Sequence, residues 1–385
     1  MTIIIGVMNG ILNLLYMFLK CLPVKDRILM MSRQSDEPSF EFEMLREEIQ
    51  KQNHDVEVKF LCKTMGRSVD SNSLSILVNT ASYGVHMLCQ MYYLATSRVA
   101  LLDSYIPAVS ILHHRKSMKV VQMWHSMGTM KLFGWTILGN EEGSSIKIAK
   151  AMHMHQNYDY YFASSPAYQS HLARGFHCSE EKAKIFPLPR YDLLKSTTYR
   201  DKKREEISNC YPQLKNQKVI VYCPTFRKDE SQMEEAVNEL ISYIPEGFQM
   251  VIKLHPFSKL HVKMQEEKNV IVDQKFSTME MLFMADYVIS DYSCVIYEAA
   301  LLHIPLCFYN FDYGTYVETR GFAIDYEKEL PGVISKDAET IMKAIKNHEF
   351  DEEEIIAFSK KYIVERDHVT QDIAQFLLDL CKECR

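Results

Sequence analysis

Phosphate-handling signatures built on glycine are missing from this chain. Neither G-x-x-x-x-G-K-[ST] nor G-x-G-x-x-G occurs, which excludes a P-loop and the usual dinucleotide fingerprint. No D-x-D pair is present, which argues against a Mg²⁺-dependent nucleotide-sugar site. No H-E-x-x-H occurs among the 14 histidines; His153 and His155 stand two apart in a segment read as helix, poor geometry for sharing a metal. An excess of positive charge is also lacking: 44 Lys and Arg face 50 Asp and Glu, a net charge of −6. That balance argues against nucleic acid as a partner, and any anionic ligand needs a local basic patch. The ten cysteines show no paired spacing apart from Cys381 and Cys384 at the tail, a pattern suited to a reducing compartment. Internal repeats and low-complexity tracts are absent. With 47% apolar and 24% charged residues the chain is folded and globular.

The 385 residues are comfortable for two domains. Residues 3–19 contain no charge. They lack the basic start and small-residue cleavage site of a signal peptide, and they are at the lower limit for spanning a bilayer. Thr2, Gly6, Asn9 and Asn13 recur every three or four residues and Lys20 follows seven later, a narrow polar stripe on a very apolar helix. This pattern fits a helix lying in the membrane interface or docking a membrane partner. A helix packed on the protein's own core and a single-pass anchor are the other readings.

After Pro23 short apolar runs alternate with amphipathic helices. Residues 27–32, 56–61, 98–102, 119–124 and 158–163 read as strands, with helices over 40–52 and 83–95 between them. A charged stretch over 190–217 reads as surface helix and linker. A second series follows, with strands at 219–222, 250–254, 270–272, 287–289 and 306–309 and helices after 351. The alternation is that of parallel sheets covered by helices. The expected division is a membrane-associating helix over 1–22, an N-terminal α/β domain over 23–200, a C-terminal α/β domain over 201–345 and terminal helices over 346–385. Two such halves imply a cleft with ligands at the C-terminal ends of the strands.

Four motifs fall at such ends. Trp124-His125-Ser126-Met127-Gly128-Thr129-Met130-Lys131 places an imidazole and a cation after a strand, and His can accept a proton near neutral pH. Cys223-Pro224-Thr225-Phe226-Arg227 offers a hydroxyl and a guanidinium fork. Lys253-Leu254-His255-Pro256 ends a strand, with Lys253 and His255 on one face. The stretch 286–305 reads as strand, polar turn and helix. Its Ser290, Asp291, Ser293, Cys294 and Glu298 stand around a helix start that Ser293 can cap, a setting that favours anions. Arg320 lies in a loop behind it. Taken singly, each motif also fits a structural role: a satisfied core histidine, a Pro-terminated strand, or a well-capped helix.

Taken together and in order, these motifs resemble the CDP-glycerol glycerophosphotransferase family of teichoic acid synthesis, the TagB/TagF-like polyol-phosphate transferases. The family's W-H-G with a following Lys stands here as Trp124-His125-Ser126 and Lys131. Its S-S strand end is Ser164-Ser165, and its P-R-x-D-x-L segment is Pro189-Arg190-Tyr191-Asp192-Leu193-Leu194. A-P-T-F/W-R reads Cys223-Pro224-Thr225-Phe226-Arg227, L-H-P reads Leu254-His255-Pro256, and S-D-Y-S-S reads Ser290-Asp291-Tyr292-Ser293-Cys294. The departures are Ser126 for Gly, Cys294 for Ser, and Asp367-His368 for a D-G pair.

The resemblance implies a GT-B-like α/β fold, two Rossmann-like domains facing a central cleft. The implied reaction moves glycerol phosphate or ribitol phosphate from CDP-glycerol or CDP-ribitol to a hydroxyl of a lipid-linked saccharide or a teichoic or capsular polymer, releasing CMP. It makes His125 the base and lets His255 assist the leaving group. Lys131, Thr225, Arg227, Lys253, Pro256, Ser290, Asp291, Ser293, Cys294, Glu298 and Arg320 are left to hold the donor. No cofactor and no obligatory metal are expected, since cations and dipoles take the metal's part. The implied location is the cytoplasmic face of the cell membrane. The alternatives are a GT-B glycosyltransferase using a nucleotide sugar and a non-catalytic scaffold of a cell-wall complex.

Overall fold

The computed structural model describes residues 2–64, 73–255, 258–260, 262 and 269–383, with the backbone alone over 73–81. The chain divides into two compact units, residues 1–126, 133–189 and 366–385 forming the first and residues 127–132 and 190–365 the second.

The first unit holds a six-stranded, all-parallel sheet. Its strands are β1 (Arg27–Ser32), β2 (Glu57–Cys62), β3 (Val99–Leu102), β4 (Lys119–Gln122), β5 (Tyr160–Ala163) and β6 (Ala183–Ile185), in the order β2-β1-β3-β4-β5-β6. β1 and β3 are buried along their whole length, as strands covered on both faces must be. The strand order reverses between β1 and β3, so the loops that follow them diverge and open a crevice at the C-terminal edge.

The second unit repeats the plan with β7 (Lys218–Cys223), β8 (Phe248–Ile252), β9 (Val270–Val272), β10 (Tyr287–Ser290), β11 (Leu306–Tyr309) and β12 (Val333–Ser335). Their order, β12-β11-β10-β7-β8-β9, is that of a Rossmann fold, with the switch point between β7 and β10. Ile220, Tyr222, Met250, Ile252, Ile289 and Tyr309 pack into its core with the helix Ser231–Ser242. Two parallel α/β sheets and an apolar N-terminal helix are the fold class expected from the sequence.

Several expectations are corrected. The strand ending in the first motif stops at Gln122, and Trp124 takes a left-handed φ of 68°. His153 and His155 lie beyond the helix Ile146–Ala151, also in the left-handed region. The helices Arg190–Lys195 and Thr197–Cys210 belong to the second unit, along with residues 127–132: Arg190 pairs with Glu298, and Lys203 with Glu280 at 3.0 Å. The terminal helices separate. Glu352–Tyr362 stays with the second unit through Lys361 and Glu329, whereas Val369–Glu383 returns to pack on Phe40–Gln52 of the first. Cys384 lies outside the described residues.

The N-terminal helix Thr2–Leu19 is amphipathic in the reverse of the usual sense. Its polar stripe faces the protein. Asn9 donates to Ala151 O at 2.9 Å, and Asn13 donates to Ile111 O at 2.8 Å and accepts from His113 N–H at 2.8 Å. The Tyr16 hydroxyl donates to His114 Nδ1 at 2.9 Å, since the other ring nitrogen donates to Val109 O. The apolar side faces outward, with Ile4 64%, Val7 59%, Ile11 55% and Phe18 63% exposed.

Candidate active site

In the first unit the site is built around His125. The ring is exposed, and its Nδ1 lies 3.0 Å from the carbonyl oxygen of Asp103. A carbonyl only accepts, so Nδ1 carries a proton, and in the neutral ring the basic nitrogen is then Nε2, the tautomer a general base requires. The Gln34 amide approaches the same nitrogen at 3.5 Å. Trp124 sets the direction of the ring. Its indole lies 4.3 Å from the His125 ring, 4.7 Å from Phe133 and 5.3 Å from Phe176. Phe133 can sit there only because residue 175 is Gly: a Cβ at Gly175 would meet the Phe133 ring at 2.2 Å. A non-glycine residue at positive φ persists where its surroundings over-determine it, and such strain gathers at functional sites.

Asp103 was not singled out from the sequence. It is 3% exposed, its Oδ1 has no hydrogen-bond partner among the described residues, and burial pushes its pKa up to about 6 against the pull of the Ser32 and Ser104 hydroxyls. Glu41 adds to the rise. A carboxyl whose folded pKa lies above its unfolded value stabilises the fold while protonated, and that contribution is lost as pH rises through about 6. Ionising it in place costs about 3 kcal/mol. Urea unfolding of the parent between about pH 4 and 7 is therefore expected to lose stability that Asp103→Asn keeps; parallel curves would refute the assignment.

In the second unit the site sits at the switch point. Ser290 closes β10 and donates to Cys223 O of β7 at 3.1 Å, joining the two strand ends. Asp291 follows, fully buried. It accepts from Thr225 N–H at 2.9 Å, Thr225 Oγ1 at 2.7 Å, Arg227 Nη1 at 2.7 Å and its neighbour's N–H. The rest of the Arg227 fork grips Asp312, Nε at 2.6 Å and Nη2 at 2.9 Å. Tyr292 donates to Asp312 at 3.0 Å and stacks on Tyr316 at 3.8 Å. Asp291, Asp312 and Ser290 thus build the loop that displays Thr225 and Arg227.

Lys131 reaches this loop on the segment 127–132. An antiparallel bridge to Phe322 and the bond from Leu132 N to Gly321 O (3.2 Å) hold that segment. Gly321 has φ 73° with Leu132 packed against it, so only glycine suits the position. Lys131 Nζ lies 3.5 Å from Thr225 Oγ1 and 5.6 Å from the Tyr316 ring. Burial lowers its pKa; Cys294 and Asp291 oppose the fall, while Arg320 and Arg227 add to it. Burial also lowers the pKa of His255, with Lys131 adding to the effect, so its imidazole is neutral at pH 7. A group of cations that repel one another beside hydroxyls, at a switch point, is an arrangement an anion relieves.

The remaining residues singled out from sequence are placed as follows. Lys253 is buried, and its ammonium bonds to Asp273 Oδ2 at 2.6 Å, to Asp273 O and to Phe276 O, away from the loop. Glu298 is buried against Arg190. Ser293 does not cap the helix Val295–Leu301: the N-cap is Cys294, and Ser293 Oγ accepts from Val295 N only at 3.5 Å. Both side chains are half-buried beside the Asp291 turn. Pro256 lies outside the described residues. Among the described residues no cluster of three His, Cys, Asp or Glu forms a metal centre. The sequence reading missed Asp312 and the aromatic wall of Tyr292, Tyr316 and Phe322; Asp312 lies just beyond β11, where the strand-end rule points.

The solved structure of the wall teichoic acid polymerase TagF shares the fold, with a TM-score of 0.73 at 19% identity over 99% of this chain and 97% of that one. A teichoic acid ribitol-phosphate primase of Bacillus spizizenii is 30% identical over 387 aligned residues, 98% of this chain and 97% of the relative. A teichoic acid glycerol-phosphate primase of Bacillus subtilis is 27% identical over 301 residues, 77% of each. The family model described as CDP-glycerol:poly(glycerophosphate) glycerophosphotransferase matches residues 14–378, and the chain belongs to that family.

Proposed function

We propose that the protein transfers a polyol phosphate, glycerol phosphate or ribitol phosphate, from its CDP-linked form to a hydroxyl of a teichoic acid or capsule acceptor. The observation that carries this reading is the family match over residues 14–378, which takes in His125 and every member of the cation group. The acceptor oxygen bonds to the phosphorus that bears the polyol, the bond from that phosphorus to the CMP phosphate oxygen breaks, and the acceptor proton passes to His125 Nε2. Lys131 and Arg320, with Arg227 held by its two carboxylates, offset the charge on the transferred phosphate. The neutral His255 offers an N–H to the pyrophosphate. Such chemistry is mostly positioning and charge stabilisation.

The test is CMP release by purified full-length protein given CDP-glycerol or CDP-ribitol and a lipid-linked saccharide or teichoic polymer. CMP is expected from one donor, with the acceptor gaining the mass of that polyol phosphate, and turnover should persist in EDTA because the proposed charge stabilisation comes from Lys131, Arg227 and Arg320. Release from neither donor would sink the proposal.

We further infer that the acceptor is met at the membrane, on its cytoplasmic face. The support is the reversed helix Thr2–Leu19, whose apolar side is exposed, as are Val85 and Leu88 of the helix Ser73–Thr96 that it touches. Because the polar stripe is held by the first unit, the helix lies flat rather than spanning. The nine described cysteines are free thiols, in keeping with a reducing compartment. Replacing Ile4, Val7, Ile11, Leu14 and Phe18 by Ser is expected to weaken vesicle binding by about 100-fold or more. Alkaline carbonate should strip the parent from membranes; retention in the pellet would mean a spanning helix.

A further inference from the structure

This inference rests on His125 acting as the base. Gln122 closes β4 with a fully buried side chain, beside the apolar Val120 and Val121. Each of its polar atoms is engaged. Oε1 accepts from Trp124 N–H at 2.9 Å, and Nε2 donates to Ser104 O at 3.1 Å and to the Tyr158 hydroxyl at 3.2 Å. The Tyr158 hydroxyl lies 2.9 Å from His155 Nδ1. His155 is buried and its pKa is lowered to about 3 by that burial, so its ring is neutral. The Tyr158 oxygen accepts from the Gln122 amide, and in the Nε2–H tautomer of His155 its hydrogen goes to Nδ1, so that the donors run from the Trp124 backbone through the amide and the phenol to the imidazole.

What this chain grips is the frame of His125. Trp124 immediately precedes it and is held at φ 68°. Ser104 immediately follows Asp103, whose carbonyl takes the Nδ1 proton. A buried amide is costly unless its groups are bonded, and a bonded network fixes one arrangement where an apolar side chain permits several. We propose that Gln122 is a positioning residue for His125: one buried amide locks both backbone segments that orient the imidazole, holding the proton on Nδ1 and the lone pair on Nε2.

Gln122→Met keeps length and removes every hydrogen bond. Its kcat is expected to fall about 10- to 100-fold with the donor KM within about twofold, since small misplacements of a reacting group cost rate rather than affinity. The His125 ring nitrogens, identified by their absence from the ¹⁵N spectrum of His125→Ala, are expected to read as the Nδ1–H tautomer in the parent and as a tautomer mixture in Gln122→Met. Tyr158→Phe removes one bond to the amide while keeping the packing, and should shift both readouts in the same direction by a smaller factor. It decides the matter if Gln122→Met does not fold. Parent-like kcat and tautomer in the folded variants, with His125→Ala inactive, would overturn the positioning role alone. An active His125→Ala would instead overturn the base reading beneath it.

Discussion

His125→Ala is expected to slow CMP release about 1,000-fold while leaving the affinity for the CDP-linked donor within about threefold. The reasoning starts from the ring's surroundings. His125 is exposed and its Nδ1 proton is held by Asp103 O at 3.0 Å, so that in the neutral ring Nε2 is the basic nitrogen. Removing it takes away the group proposed to accept the proton that the attacking hydroxyl must lose. Positioned general bases contribute about 10²–10⁴ in rate. The donor's proposed contacts, Lys131, Thr225, Arg227 and Arg320, belong to the second unit, whereas His125 belongs to the first. Rate and affinity should therefore separate. CMP release under saturating donor, together with calorimetric titration of the CDP-polyol, measures both. Activity above about a tenth of the parent would remove the base role, and a parallel loss of donor binding would move His125 into the donor site.

The parts of this fold that could be read from sequence are those set by local hydrophobic pattern. Buried runs such as Ile28-Leu29-Met30-Met31 announced their strands, and the rule that α/β sites gather at strand ends located the four motifs. β6 and β12 escaped because three half-buried residues each, one of them Lys184, make no run. Trp124 looked like strand because an aromatic after two valines fits one; its left-handed turn depends on contacts from Phe133 and Phe176. Alternation says which face a side chain takes but not what it meets there. Lys253 and Lys131 were equal candidates until Asp273 appeared beside the first and a long contact to Thr225 beside the second. The same holds for the helix Val369–Glu383. Its pattern demands an apolar partner, and nothing local says that the partner is Phe40–Gln52, far back in the chain.

Asp291→Ala is expected to destabilise the second unit by about 3–5 kcal/mol, the largest single loss in stability we expect from this site. Asp291 is fully buried and sits at the switch point, where it satisfies the Thr225 N–H, the Thr225 hydroxyl and one Arg227 Nη1 at once. Deleting the carboxylate leaves the backbone donor of Thr225 unmatched. It also leaves a guanidinium that is itself only 10% exposed with Asp312 as its sole remaining carboxylate partner among the described residues. The cost comes less from the lost pair than from stranding a buried cation, so it should shrink when that cation is removed as well. Arg227→Met in the Asp291→Ala background is thus expected to recover part of the loss, although Arg227→Met alone is destabilising. Urea unfolding of the parent, the two single variants and the double variant gives the coupling directly. Additive effects would show that Asp291 acts through Thr225 alone. A recovery of 1 kcal/mol or more, on the order of what coupled buried pairs show, would establish that the carboxylate holds Arg227 in the orientation the phosphate site needs.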